Sequence, residues 1–195
     1  MTEKSSRGMG MDRTALLVMD VQRGIVERFA DDEYLEGLSQ AIAAARAGGM
    51  PVLFVRVGFR PGWPEVSDHN QSFRTIRERT GGPELGDVHP GLGLQPDDVV
   101  ITKKRVSAFT GSDLEVILRA QNIRHLVLAG LATSGVVLST LREAADRDYT
   151  LTVLEDGCRD ADPEVHRVLM EKVFVRQAHV IPIAAFAAGV IDRAR

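Results

Sequence analysis

The chain has 195 residues, with 24 Lys plus Arg against 27 Asp plus Glu and a formal net charge of −3. This near balance excludes a strongly basic nucleic-acid-binding surface, and a hydrophobic content of 44% excludes disorder over most of the chain. The single cysteine excludes an internal disulfide and a cysteine-based zinc site. No apolar run approaches the ~20 residues that span a bilayer. We therefore expect a cytoplasmic protein with neither nucleic acid nor membrane as a partner.

The N-terminal residues differ in character from the rest of the chain. Residues 1–13 are polar and glycine-rich, without the apolar core of a signal peptide. The length is close to that of one domain at ~150 residues each. We predict a flexible tail over 1–13 and a single domain over 14–195.

Six apolar runs along the domain have the character of β-strands. Five are nearly continuous and do not alternate, which is typical of strands buried on both faces of a parallel sheet; they cover 15–19, 52–57, 99–102, 126–129 and 151–154. A shorter run near the end contains Pro182, which suits an edge strand because proline cannot donate a ladder hydrogen bond.

Helical spacing of apolar residues recurs between these strands, at 35–42, 114–118, 137–144 and 165–169. Ser112 with Glu115 forms a capping-box pattern, and Asp162 precedes a proline at a first helical position. The stretch 58–97 is rich in proline and glycine and reads as a long loop, with a short helix around 73–77 as one alternative. Strands that alternate with helices predict an α/β fold, in which a parallel sheet is covered on both faces.

Ligands of open parallel sheets bind beyond the carboxyl ends of the strands. Three polar segments follow strands here: Asp20 to Gln22, 102–104 and 130–134. A carboxylate and an amine at such ends would shift each other's pKa, so Asp20 and Lys103 can form a proton-transfer pair. The alternative, that Asp20 caps a turn and Lys103 is solvated, stays open at this point.

Motifs for metals and nucleotide cofactors are missing from the sequence. The glycines at 130 and 135 have phosphate-loop spacing, but valines stand where that loop needs Lys and Ser or Thr, and the turn after the first strand has no dinucleotide fingerprint. Asp68 and His69 could ligate a metal with one distant partner, although a solvated loop is the simpler interpretation. We expect neither a metal nor a cofactor.

Two further features allow a functional and a structural interpretation. Cys158 follows a strand and could be a thiolate nucleophile, but a lone cysteine is more often a small buried hydrophobe. Trp63, with neighbouring phenylalanines and arginines of the long loop, could shape a pocket for an aromatic or anionic ligand. The same residues could equally pack the loop against itself.

With these segments assembled, the sequence resembles the isochorismatase-like hydrolase superfamily, also called cysteine hydrolases, over almost the whole chain. The resemblance rests on three segments, 15–22, 102–109 and 128–133. It implies a Rossmann-like three-layer fold with a six-stranded, mainly parallel sheet, catalytic roles for Asp20 and Lys103, and a cis peptide near Leu131 and Ala132. It also implies a homo-oligomer, a dimer or tetramer.

The sequence departs from this family at the nucleophile. Amidase members carry a cysteine six residues after the glycine that matches Gly130, and Val136 occupies that position here. An aliphatic side chain cannot attack a carbonyl, so the resemblance implies a member without the nucleophilic cysteine. Cys158 lies one strand later and does not match.

We therefore predict a hydrolase that acts on a small organic substrate through Asp20 and Lys103, and an anionic substrate would suit the lysine. Gln22, Trp63, Phe109, Thr133 and Ser134 are the predicted substrate-binding residues. Two alternatives remain: a non-catalytic descendant that binds a small molecule or a protein, and a thiol-dependent amidase that uses Cys158.

Overall fold

The computed structural model describes residues 13–80 and 86–193. Residues 1–12 of the predicted tail lie outside the described residues, and Arg13, its last residue, begins the first strand. Within the described part of the chain, no helix is long and apolar enough to cross a membrane.

Six strands form one sheet in the order β3-β2-β1-β4-β5-β6, and every pairing between neighbours is parallel. The strands are β1 (Arg13–Met19), β2 (Val52–Val57), β3 (Val99–Lys103), β4 (Ile123–Leu131), β5 (Thr150–Arg159) and β6 (His179–Ile181). The six-stranded parallel sheet is therefore confirmed. So is the edge position of the last strand, which ends just before Pro182.

Seven α-helices flank this sheet in the described residues. They are α1 (Arg23–Phe29), α2 (Asp32–Ala47), α3 (Gln71–Thr80), α4 (Leu114–Ala120), α5 (Leu138–Asp146), α6 (Pro163–Val168) and α7 (Ile183–Arg193). Helix α3 confirms the short helix within the long loop. The sequence did not predict α1, because it buries only Val26 and carries no side-chain cap.

The N-termini of α6 and α4 test the two helix caps that the sequence predicts. Asp162 caps α6 as predicted, since its Oδ1 accepts hydrogen bonds from the backbone N–H groups of Glu164 and Val165. The capping box at Ser112 is half formed: Ser112 Oγ accepts a hydrogen bond from the N–H of Leu114, the first residue of α4, at 3.2 Å, whereas Asp113 holds the N-cap position. Glu115 instead forms an ion pair with Arg119.

The buried residues of β1 alternate between two apolar clusters, one on each face of the sheet. Leu17 and Met19 belong to the cluster that includes side chains of α4 and α5. Leu16 and Val18 belong to the cluster that includes α2 and α7. Each fully buried leucine contributes about 1.5–3 kcal/mol relative to an exposed one. The result is a helix–sheet–helix sandwich, the three-layer fold that was expected.

Candidate active site

The candidate site begins where β1 ends, at Asp20. Its backbone is left-handed, with φ of 57°, and its N–H donates to the carbonyl of Val55 at 2.8 Å. Aspartate tolerates this conformation better than most residues, and such backbone positions are concentrated at functional sites. The residue is buried, with 6% of its surface exposed.

Lys103 is the last residue of β3 and is also buried. Its Nζ donates to Asp20 Oδ2 at 2.9 Å and to the carbonyls of Arg105 and Val106, each at 3.0 Å. These three acceptors match the three N–H donors of an ammonium group. Strand β2 lies between β1 and β3 in the sheet, so Asp20 and Lys103 follow strands that are not adjacent. The lysine is long enough to reach across the end of β2.

The second carboxylate oxygen of Asp20 differs from the first. Oδ1 is buried and has no hydrogen-bond partner among the described residues. Burial raises the pKa of Asp20, and the positive charge of Lys103 opposes that rise. Burying a polar oxygen without a partner costs about 1–3 kcal/mol. Oδ1 is therefore the oxygen of this carboxyl that is free to carry a proton.

Gln22 lies beside this pair, and the backbone of the protein engages both ends of its side chain. Its Nε2 donates to the carbonyls of Val57 at 3.0 Å and Gly86 at 2.7 Å, while its Oε1 accepts from the N–H of Val57 at 2.8 Å. The side chain thus ties the end of β2 to the chain at residue 86. Its predicted contact with substrate stays a prediction.

The turn after β4 contains three of the predicted residues. A cis peptide joins Leu131 to Ala132, as the resemblance implied. Thr133 is fully buried, and the N–H of Ser134 donates to Asp160 Oδ2 at 2.7 Å. A π-helical turn over Thr133–Val137 then leads into α5.

One histidine, His166, and one aspartate, Asp160, hold this turn. Neither residue was predicted from the sequence. Thr133 Oγ1 lies 2.8 Å from Nδ1 of His166, which is on α6. Burial lowers the pKa of His166, and the carboxylates of Glu155 and Asp160 oppose this effect. The available signal was topological: β5 lies next to β4, so polar residues that follow β5 face the turn that follows β4.

The position that the resemblance assigns to the nucleophile is apolar. Val136 is 2% exposed and belongs to the buried cluster that also contains Val137 and Leu141. Cys158 belongs to the same cluster, and burial raises the pKa of its thiol to about 12. Neither position offers a thiolate near neutral pH.

The two predicted aromatic residues lie in different places. Trp63 stacks on Phe59 with 4.6 Å between ring centroids, in an apolar cluster built by the long loop. Phe109 packs 5.9 Å from the ring of Tyr149, and the guanidinium of Arg147 lies 4.9 Å from its centroid. Tyr149 directly precedes β5, at the amino end of the sheet. Phe109 is thus not brought to the strand ends that carry the Asp–Lys pair.

The possible metal site at Asp68 and His69 is engaged otherwise. Asp68 Oδ1 forms an ion pair with Arg77 at 2.7 Å, and this pairing holds the pKa of the carboxyl below its usual range. Across residues 13–80 and 86–193, no three His, Cys, Asp or Glu side chains are grouped so that they could hold a metal ion. That no metal is required stays a prediction.

Comparisons with known sequences identify the family of this chain. A family model described as the isochorismatase domain matches residues 14–185. An uncharacterized isochorismatase family protein of Escherichia coli O157:H7, YecD, is 35% identical over 86% of this chain and 90% of its own. The ureidoacrylate amidohydrolase RutB of Stutzerimonas stutzeri is 32% identical over 91% of this chain and 79% of its own.

Solved structures show the same architecture. An isochorismatase family protein from Burkholderia thailandensis superposes with a TM-score of 0.79 at 28% identity, covering 91% of this chain and 95% of its own. A cysteine hydrolase from Pseudomonas syringae pv. phaseolicola superposes with a TM-score of 0.81 over 94% of both chains, and at 22% identity it supports the fold alone.

Proposed function

The chain belongs to the isochorismatase family and is a hydrolase, and from this premise we propose that it hydrolyses a small organic anion by proton transfer through Asp20, without a cysteine nucleophile. The observation that carries the proposal is the buried Asp20–Lys103 pair, in which Oδ2 is bonded to the lysine and Oδ1 has no partner among the described residues.

The two carboxyl oxygens of Asp20 have different roles in the proposed reaction. Protonated Asp20 donates through Oδ1 to the leaving heteroatom of the substrate while water adds to the electrophilic carbon and the carbon–heteroatom bond breaks. A proton from the attacking water then returns to Asp20. Lys103 stays bonded to Oδ2 and stabilises the carboxylate that exists between these two transfers.

In the proposed reaction the nucleophile is water and not a cysteine thiolate. Val136 has no nucleophilic atom, and the thiol of Cys158 is buried with its pKa raised to about 12. A thiolate route would need a thiol with a lowered pKa beside a base or a cation. These observations disfavour the thiol-dependent amidase.

The preference for an anion follows from charge. When Asp20 is protonated, the positive charge of Lys103 has no neutralising partner within the pair, so the site favours a negatively charged ligand. The relatives named ureidoacrylate amidohydrolase support the same class of substrate, since ureidoacrylate is a carboxylate.

A paired substrate panel tests the proposal. Ureidoacrylate and other small carboxylates with ureido, amide or enol-ether bonds are compared with their neutral methyl esters on the purified protein. We expect turnover of at least one carboxylate, with kcat/KM about tenfold or more above that of its ester. Equal turnover of the ester contradicts the preference for anions, and binding without turnover favours the non-catalytic alternative.

A further inference from the structure

A cavity of about 330 Å³ lies at the amino ends of the strands, beside helix α7. Thr14 of β1 and Thr152 of β5 line it, as do Phe186, Gly189 and Val190 of α7. Asp20 lies six residue steps along the extended chain from Thr14, which corresponds to about 20 Å. The cavity is therefore at the opposite end of the sheet from the candidate active site.

Polar groups of three strands meet on one wall of this cavity. The ring of His125, on β4, lies between two threonine hydroxyls: Nδ1 is 3.5 Å from Thr14 Oγ1, and Nε2 is 2.9 Å from Thr152 Oγ1. Each hydroxyl can donate one hydrogen bond and accept others. The hydroxyl protons of this Thr14–His125–Thr152 row can therefore reorient toward a ligand atom. Thr152 is 6% exposed, which places one end of the row deep in the wall.

The opposite wall is apolar, and the lining includes one arginine. Phe186 and Val190 face the cavity from α7. Arg13 also lines it and uses Nη1 to reach the carbonyl of Gln121 at 3.3 Å, while a guanidinium has five N–H donors in all. Among the described residues, the lining contains no Asp or Glu. An apolar wall with a few convergent polar groups is the usual composition of a small-molecule site, and the volume is within the usual range.

We propose that this cavity binds a small organic acid, with its carboxylate at Arg13 and the Thr14–His125–Thr152 row and its apolar body against α7. This site is separate from the Asp20–Lys103 site and does not depend on the reaction proposed for it.

Gly189 allows the cavity to be filled by one substitution. A Cβ added at this glycine would meet nothing within 4 Å, so a larger side chain has room at that position. Ala188 is its neighbour on the same helix, is exposed and does not line the cavity. Gly189→Leu and Ala188→Leu are therefore a matched pair that differs in access to the cavity.

Calorimetric titration of the full chain with benzoate, and with benzyl alcohol as its neutral counterpart, tests the proposal. We expect benzoate to bind the wild-type protein and Ala188→Leu equally, and benzyl alcohol to bind at least about tenfold more weakly. Gly189→Leu should lose benzoate binding. Thr152→Val, which removes one hydroxyl and keeps the side-chain volume, should weaken it about tenfold.

Four results would overturn the proposal: no benzoate binding to the wild type, unchanged binding to both Gly189→Leu and Thr152→Val, equal binding of benzyl alcohol, or a changed oligomer mass for Gly189→Leu alone. The last result would identify the cavity as an interface between copies of the chain. Since the titration measures no turnover, its failure leaves the hydrolase proposal intact, and failure of the substrate panel leaves the cavity proposal intact.

Discussion

Asp20 and Lys103 form a buried ion pair in which burial and charge attraction shift the pKa of Asp20 in opposite directions. Removing a carboxylate and an ammonium from water costs several kcal/mol for each ion, and their attraction at 2.9 Å offsets part of that cost. The pKa of Asp20 nevertheless remains raised, so burial is the larger effect on the carboxyl. A carboxyl that keeps its proton more readily than usual is suited to act as a general acid.

We predict that Lys103→Met makes the stability of the protein depend more strongly on pH. The variant loses the charge that opposes burial, so the pKa of Asp20 in the folded state rises further above its unfolded value. Between those two pKa values the folded state binds more protons than the unfolded state, so stability falls as pH rises. Urea unfolding should show a loss of about 3–5 kcal/mol at pH 8 and a smaller loss at pH 4.5.

Lys172→Met is the control for this experiment, because Lys172 is exposed. It should change stability by less than about 0.5 kcal/mol at either pH. An equal loss for Lys103→Met at both pH values would show that the two groups do not interact as described.

The sequence suggested both members of the pair, because each follows an apolar run at a predicted strand end, but it left open that Asp20 caps a turn and Lys103 is solvated. It did not identify which carboxylate oxygen is unpartnered, since that depends on the side-chain path of Lys103 across β2. Phe109 is a contrasting case, because its place in the chain did not indicate where its ring lies in the fold. It is only six residues beyond Lys103, yet the chain carries its ring toward the other end of the sheet, against Tyr149.

At the scale of elements, the register between β4 and β5 shapes the site. The pairing shifts between Leu128 and Gly130, so Gly130 pairs with Cys158. The apolar run that predicted β5 ends at Leu154, whereas the strand continues to Arg159. The sequence missed this extension because the exposed acidic residues Glu155 and Asp156 interrupt the apolar pattern at the irregularity.

Gly130 is required by the contact between β4 and β1, and Gly130→Ala tests this. Its φ is 150°, and an added Cβ would lie 2.2 Å from the carbonyl oxygen of Met19, just before Asp20. Since neither backbone can move without disturbing the sheet, we expect a loss of at least about 2 kcal/mol in thermal or urea unfolding.

Gly37→Ala in helix α2 is the matched control, because its Cβ would lie at an ordinary 3.7 Å from the side chain of Ile183 in α7. This change should leave stability unchanged or raise it by up to about 1 kcal/mol. Equal stability of Gly130→Ala and Gly37→Ala would contradict the close approach of β4 to β1.

At the scale of the molecule, the two ends of one parallel sheet carry different chemistry. The carboxyl ends hold Asp20, Lys103 and the turn at Thr133, and the amino ends hold the cavity around His125. The sequence predicted the first end, because loops at carboxyl strand ends form the sites of such folds. It gave no sign of the second, because a cavity depends on how α7 packs on the sheet, and no local pattern reports that packing.

The central claim, that a carboxyl and not a thiol performs the chemistry, is tested most directly by kcat/KM for two variants on one substrate. Asp20→Asn keeps the size of the side chain and removes its titratable proton, so we predict a fall of at least ~100-fold. Cys158→Ser should stay within about threefold of the wild type, since its buried thiol has a pKa of about 12 and contacts no reacting group. Circular dichroism confirms that both variants are folded. A folded Cys158→Ser without activity, beside an active Asp20→Asn, would contradict the account.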